Sequence, residues 1–123
     1  MGLVIHDNVA LLSLSGLNNL VSVDGVIGLS ISQSPSLTNM EGLDNLTSVG
    51  SLYLYMNSGL SSLDGLDSLA SVGEVDGLAD LQVRSNENLP QCEVCELVAQ
   101  LTQFSGDFSA VNNLEDECSE NCL

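Results

Sequence analysis

The sequence predicts a mainly β solenoid of about three coils, closed by a helix-containing, cysteine-bearing C-terminal cap. Three observations predict it. Segments 5–23, 31–49 and 54–72 superimpose on one another, and a strand-like triplet recurs once per coil. After Leu89-Pro90 the repeat gives way to an amphipathic run with paired cysteines. The chain therefore divides into a solenoid, residues 1–89 (three coils plus a fourth strand), and a cap, residues 90–123.

The repeat is legible column by column. Apolar residues recur as Leu11, Leu37, Leu60; Leu14, Met40, Leu63; Leu17, Leu43, Leu66; and Leu20, Leu46, Leu69. Val23, Val49 and Val72 close each coil, and Gly16, Gly42 and Gly65 form a glycine column. Coil length varies: Leu3 to Leu29 is 26 residues, Leu29 to Leu52 is 23, and Leu52 to Leu81 is 29. All of that variation lies between the closing Val and the next Leu. Insertions at one edge leave a stacked core undisturbed.

Each coil also carries the pattern L-x-[apolar]-x-x-N. It reads Leu3, Ile5, Asn8; Leu29, Ile31, Ser34; Leu52, Leu54, Asn57; and Leu81, Val83, Asn86. Alternation over three residues argues a strand with its two apolar side chains inward. The Asn three residues on should turn inward as the chain bends and satisfy backbone groups that the turn leaves unpaired. A lone Asn is simply a turn former, but a column of them argues a ladder. Ser34 has only part of that capacity, so coil two is expected to be the loosest.

These residues resemble the leucine-rich-repeat superfamily, and more narrowly the receptor-L-domain-like repeats of bacterial secreted and surface proteins. The run from Gly42 to Leu54 carries the likeness, as does the cap beginning Asn88-Leu89-Pro90-Gln91-Cys92. The resemblance implies a right-handed solenoid with short parallel strands on one face and irregular turns elsewhere. It says little about activity, since such folds serve many binding and structural roles. The chain departs from the family pattern in having four cysteines near its end, not two.

Within the cap, Val94, Leu97, Val98 and Leu101 keep helical spacing, which predicts a helix over about 91–103 with Pro90 at its start. Gly106 breaks the chain. Phe108, Ala110 and Asn113 then repeat the strand-plus-Asn offsets, predicting a final strand over about 108–113. The cysteines, Cys92, Cys95, Cys118 and Cys122, fall in two pairs. Four thiolates at these spacings suit a structural Zn²⁺; two disulfides would instead tie the helix to the tail. The surrounding acids (Glu93, Glu96, Glu115, Asp116, Glu117, Glu120) disfavour thiolates but attract a cation, so they do not decide. The lack of other cysteines, the surface-protein resemblance and a tail that needs fastening favour disulfides.

Charge bounds the partners. Seventeen acids against one basic residue, Arg84, give −16. Such a chain does not bind nucleic acid through its phosphates, and an anionic membrane surface repels it. The acids are scattered, so solvation explains them first and a cation or cationic partner second. Glu41, Asp44, Asp64 and Asp67 sit around the Gly-Leu turns, with Asn18, Asn45 and Ser68 nearby. Ca²⁺ is conceivable there, but no fixed ligand spacing marks a site. No stretch is long enough to insert in a membrane and no signal peptide precedes Leu3-Val4-Ile5. That opening is expected of a chain cut from a longer extracellular or cell-surface precursor.

The outward strand positions are Val4, Ser30, Tyr53, Gln82 and His6, Ser32, Tyr55, Arg84. Both tyrosines, the single His and the single Arg thus land on one face. Exposed strand Tyr is favoured by β-propensity alone, yet Tyr and Arg also concentrate at binding hot spots. No acid pair or nucleophile–base arrangement argues for an enzyme. The leading expectation is a binding module engaging a protein or glycan on this face. A second is assembly, as a homodimer or end-to-end stack, through an open N-terminal coil. Ice binding ranks last, because these columns lack a regular Thr or Ser array.

Overall fold

A computed structural model describes residues 2–73, 79–104, 106–118 and 122. Expectations touching Met1, Glu120 and residues 74–78 of the longest insertion lie outside the described residues. Strands β1 (Gly2–His6), β3 (Gly28–Ser32), β5 (Leu52–Tyr55), β7 (Ala79–Arg84) and β9 (Gly106–Val111) form one parallel five-stranded sheet. Two-residue strands β2 (Ser22–Val23), β4 (Ser48–Val49), β6 (Ser71–Val72) and β8 (Gln103–Phe104) form a second, four-stranded sheet. Helix α1 (Gln91–Gln100) lies in the cap. The fold is a parallel β-solenoid of about four turns, with one C-terminal helix.

Parallel pairing keeps like residues in one layer. Leu3, Leu29, Leu52, Leu81 and Phe108 stand in register, as do Ile5, Ile31, Leu54, Val83 and Ala110. From Leu29 to Val83 these side chains are wholly buried, together with Leu37, Met40, Leu43 and Leu46 from the turns. Each full burial stabilises by about 1.5–3 kcal/mol. The glycine column has two causes. Gly42 and Gly65 have φ of +114° and +109°, where only Gly is relaxed. A Cβ there would also lie 2.1 Å from the Leu14 carbonyl oxygen and 2.0 Å from that of Met40. At Gly16 a Cβ would meet none of the described residues within 4 Å.

The bend after each long strand uses a left-handed residue: Asp7, Gln33, Met56, Ser85 and Asn112, with φ between 51° and 60°. The next residue then points inward and forms the ladder. The Asn57 Nδ2 donates to the Ile31 carbonyl at 3.0 Å, and its Oδ1 accepts the Ser34 N–H at 3.1 Å. Asn86 does the same for Leu54 and Asn57 (2.9 and 3.0 Å), and Asn113 for Val83 and Asn86 (2.8 and 3.2 Å). Each ladder Asn thus bridges a carbonyl and an N–H of the coil before it. Gln91, nearly buried, ends the series by accepting from Asn113 at 3.2 Å.

Ser34 breaks the rule in one direction only. It is wholly buried and receives Asn57, while its own Oγ donates to the Ser32 carbonyl at 3.2 Å. What is missing is the bridge to Ile5 and Asn8. The weak junction therefore lies between coils one and two, and coil two itself is held on its far side. Asn8 is exposed, and its Nδ2 donates only locally, to the His6 carbonyl at 3.1 Å.

Two boundaries differ from the sequence reading. The helix stops at Gln100, not about 103, because Gln103 and Phe104 pair with Ser71 and Val72 and extend the second sheet. The last strand runs Gly106–Val111, not about 108–113, because pairing with β7 starts at Ala79 and ends at Arg84. Asn112 then turns, and Asn113 takes its ladder place. Four sulfurs make two disulfides, Cys92–Cys118 and Cys95–Cys122. With the sulfurs so paired there is no four-thiolate zinc site; the disulfide alternative is the one adopted. By loop entropy each bond contributes on the order of 3 kcal/mol.

Candidate functional site

The five-stranded sheet has one face on the core and one outside, so period-2 alternation decides which side chains a partner meets. The register sets Val4, Ser30, Tyr53, Gln82 and Ser109 in one outward row. His6, Ser32, Tyr55, Arg84 and Val111 form the next. The rows named from sequence are thus brought side by side. Tyr53 and Tyr55 are half-buried at the centre, His6 and Arg84 exposed at the flank.

The tyrosines are tethered. Tyr53 OH donates to Asp80 Oδ2 at 2.8 Å and Tyr55 OH to Gln82 Oε1 at 2.5 Å, each reaching diagonally to the next strand. Their ring centroids lie 5.8 Å apart at an interplanar angle of 50°. On the other flank His6 Nδ1 and Ser32 Oγ are 2.7 Å apart. Burial pushes the Tyr53 phenol above its ordinary 10.0, and the hydrogen bond to Asp80 adds to this. Burial likewise raises Tyr55, against the opposing pull of Arg84. Both rings are neutral hydroxyl donors at physiological pH, suited to recognition more than to proton transfer.

Beside them opens a hollow of about 340 Å³, lined by Tyr55, Met56, Arg84 and Ser85. Among the described residues Arg84, the chain's one strong cation, has no carboxylate oxygen within 4.0 Å of its guanidinium. Sequence reasoning missed three members. Asp80 follows from the alternation that gave Gln82, carried two residues back. Met56 and Ser85 project here because they occupy the left-handed bend, which no residue preference announced. Met is unbranched and adapts to irregular contacts.

Elsewhere the acids divide into tasks. Asp44 Oδ2 accepts the Gly42 N–H of its own turn at 3.1 Å. Asp116 accepts the Cys92 N–H at 3.0 Å and the Cys118 N–H at 2.9 Å, so the tail caps the start of α1, where Pro90 supplies no side-chain cap. Asp64, Asp67, Glu93 and Glu96 line a small hollow between the third turn and the helix. Burial raises the Glu93 carboxyl; an N–H of Leu63 opposes this, and repulsion from Asp64, Glu96 and Asp67 adds to it. Among the described residues no three carboxylates bring oxygens within 4.8 Å of one another, as a Ca²⁺ site at the turns would require.

No described helix is long and apolar enough to cross a membrane. The two disulfides fit an oxidising, extracellular setting. No family model, curated protein or solved structure matches the chain, which stands on its solenoid fold and on the geometry above.

Proposed function

We propose that this chain is a non-enzymatic binding module of a secreted or cell-surface protein, engaging a protein or glycan partner on its strand face. The observation that carries the reading is the tethered Tyr53–Tyr55 pair beside Arg84. Two aromatic rings with fixed hydroxyls cost little side-chain entropy on binding, and an adjacent guanidinium adds directional donors. Arg84 also provides the single strong positive charge on a chain of −16, so an acidic group on the partner has one place to dock. The likeness to leucine-rich-repeat and receptor-L-domain repeats supports the same face, since solenoids of that kind present an extended strand surface.

The test is a glycan and protein microarray probed with the wild-type chain and with a Tyr53→Ala/Tyr55→Ala/Arg84→Ala variant. The expected result is a signal that the triple variant loses while its circular dichroism is unchanged. Binding that survives the triple change removes the strand face as the site.

A further inference from the structure

We infer that the strand face takes an acidic glycan, with the carboxylate of one sugar-acid unit held by Arg84 and a neutral unit beside it over Tyr53. This rests on the strand-face reading and names the chemistry of its ligand. The outward residues of β7 form a gradient: Asp80, then Gln82, then Arg84. Four residues of strand separate the first from the last, about 13 Å. In register, Arg84 stands between Tyr55 on one neighbouring strand and Val111 on the other. Among the described residues no group accepts a hydrogen bond from its guanidinium, and no carboxylate oxygen lies within 4.0 Å. A forked cation between two apolar neighbours suits one carboxylate, bound through two parallel N–H donors.

The hollow beside it holds about 340 Å³ and is walled by Tyr55, Met56 and Ser85 as well as Arg84. That volume lies within the span of small-ligand sites, about 300–1,000 Å³. A pyranose needs an apolar wall for its C–H face and polar groups at its rim. Tyr55 and Met56 supply the first, and Arg84 and the Ser85 hydroxyl the second. The Tyr53 ring lies 5.8 Å from that of Tyr55, tilted by 50°, so the next unit of a chain meets a second platform at its own angle. At that unit Gln82 Nε2 donates, and Asp80 accepts through the oxygen that Tyr53 does not occupy.

Charge sets the kind of glycan. One arginine on a chain of −16 holds one carboxylate, and the acids around the molecule repel a ligand with closely spaced anions. The ligand is therefore a glycan with isolated sugar acids among neutral units, not a polysulfate. Main-chain recognition of a peptide is closed here, because β5 and β7 are each paired on both sides and leave no edge to which a strand could add. Met56 and Val111 are exposed apolar side chains on this face, but Arg84 separates them, so they form no continuous apolar core for a protein interface.

The probes are a trisaccharide of one glucuronic acid and two neutral hexoses, the same trisaccharide with its carboxyl reduced to the alcohol, a polysulfated oligosaccharide and an acidic hexapeptide. The chain has a single Arg, so its Nε–Hε signal is one peak in a ¹⁵N spectrum. The sugar acid should shift that peak and bind about tenfold more tightly than its reduced form. Arg84→Gln should bring the two forms to the same weak affinity, and Arg84→Lys should retain only part of the preference. Tyr53→Ala should weaken both forms alike, and circular dichroism should be unchanged in all three variants. Equal binding of the two forms by the wild type, a preference that survives Arg84→Gln, tighter binding of the polysulfate or the hexapeptide, or no binding of either trisaccharide overturns the proposal. The strand-face reading outlives any of these results if the microarray yields another ligand that the Tyr53→Ala/Tyr55→Ala/Arg84→Ala variant loses, and falls with them if that variant keeps it.

Discussion

Replacing Ser34 with Asn should stabilise this protein, although Ser34 is wholly buried and already hydrogen-bonded. In every later coil the ladder Asn bridges the preceding coil: Asn57 joins Ile31 O to Ser34 N, Asn86 joins Leu54 O to Asn57 N, and Asn113 joins Val83 O to Asn86 N. An amide at 34 reaches the corresponding pair, Ile5 O and Asn8 N–H. It also keeps the local bond to Ser32 O, as Asn86 Nδ2 keeps one to Arg84 O at 3.2 Å. Two new bonds at about 0.5–1.5 kcal/mol each, less the ordering of one side chain, leave a gain of about 1–2 kcal/mol. For a domain of this size that is on the order of 5 °C in Tm. Thermal unfolding with the disulfides intact measures it, and amide exchange locates it, because protection should rise at Asn8. An unchanged or lowered Tm with no slower exchange at Asn8 would refute the bridging account.

Gly65→Ala and Gly16→Ala share a positive φ, so both carry backbone strain of about 1–3 kcal/mol. Only Gly65→Ala also drives a Cβ to 2.0 Å from Met40 O, and its Tm should fall well below that of Gly16→Ala. Asp116→Ala should cost about 1–2 kcal/mol in chemical denaturation, because it strips the start of α1 of its cap. Glu93→Gln should be stabilising at pH 7. Burial raises this carboxyl in the folded state, so its charged form is a penalty that is full above the folded pKa and absent below the ordinary 4.5. The advantage of the variant over wild type should therefore vanish on acidification. A difference that persists at pH 3 contradicts that sign.

The solenoid was legible because its cause is periodic. Leu29, Leu52 and Leu81 share a layer, and one column of Leu records it. The tethered pairs were less so. Tyr53, Tyr55, Gln82 and Arg84 follow from alternation alone, but Asp80 enters only once the diagonal reach of Tyr53 is known. The left-handed bends at Asp7, Gln33, Met56, Ser85 and Asn112 share no residue type, because the stacked ladder imposes the conformation. The second sheet escaped notice for a related reason. Two-residue strands such as Ser48–Val49 carry no period, and Gln103 reads as the end of a helix although it pairs with Ser71 in the second sheet. Ser34 shows the limit of composition most sharply. Its weakness was legible, but which neighbouring coil loses the contacts depends on the direction in which the Asn side chains reach.

The strand face is tested most directly by ¹⁵N chemical-shift mapping of the chain titrated with the ligand that the microarray identifies. Perturbations should concentrate on Ser30, Ser32, Tyr53, Tyr55, Met56, Gln82 and Arg84. Shifts centred instead on the acidic corners at Asp44 and Asp67, or on the disulfide-tied cap, would contradict the account.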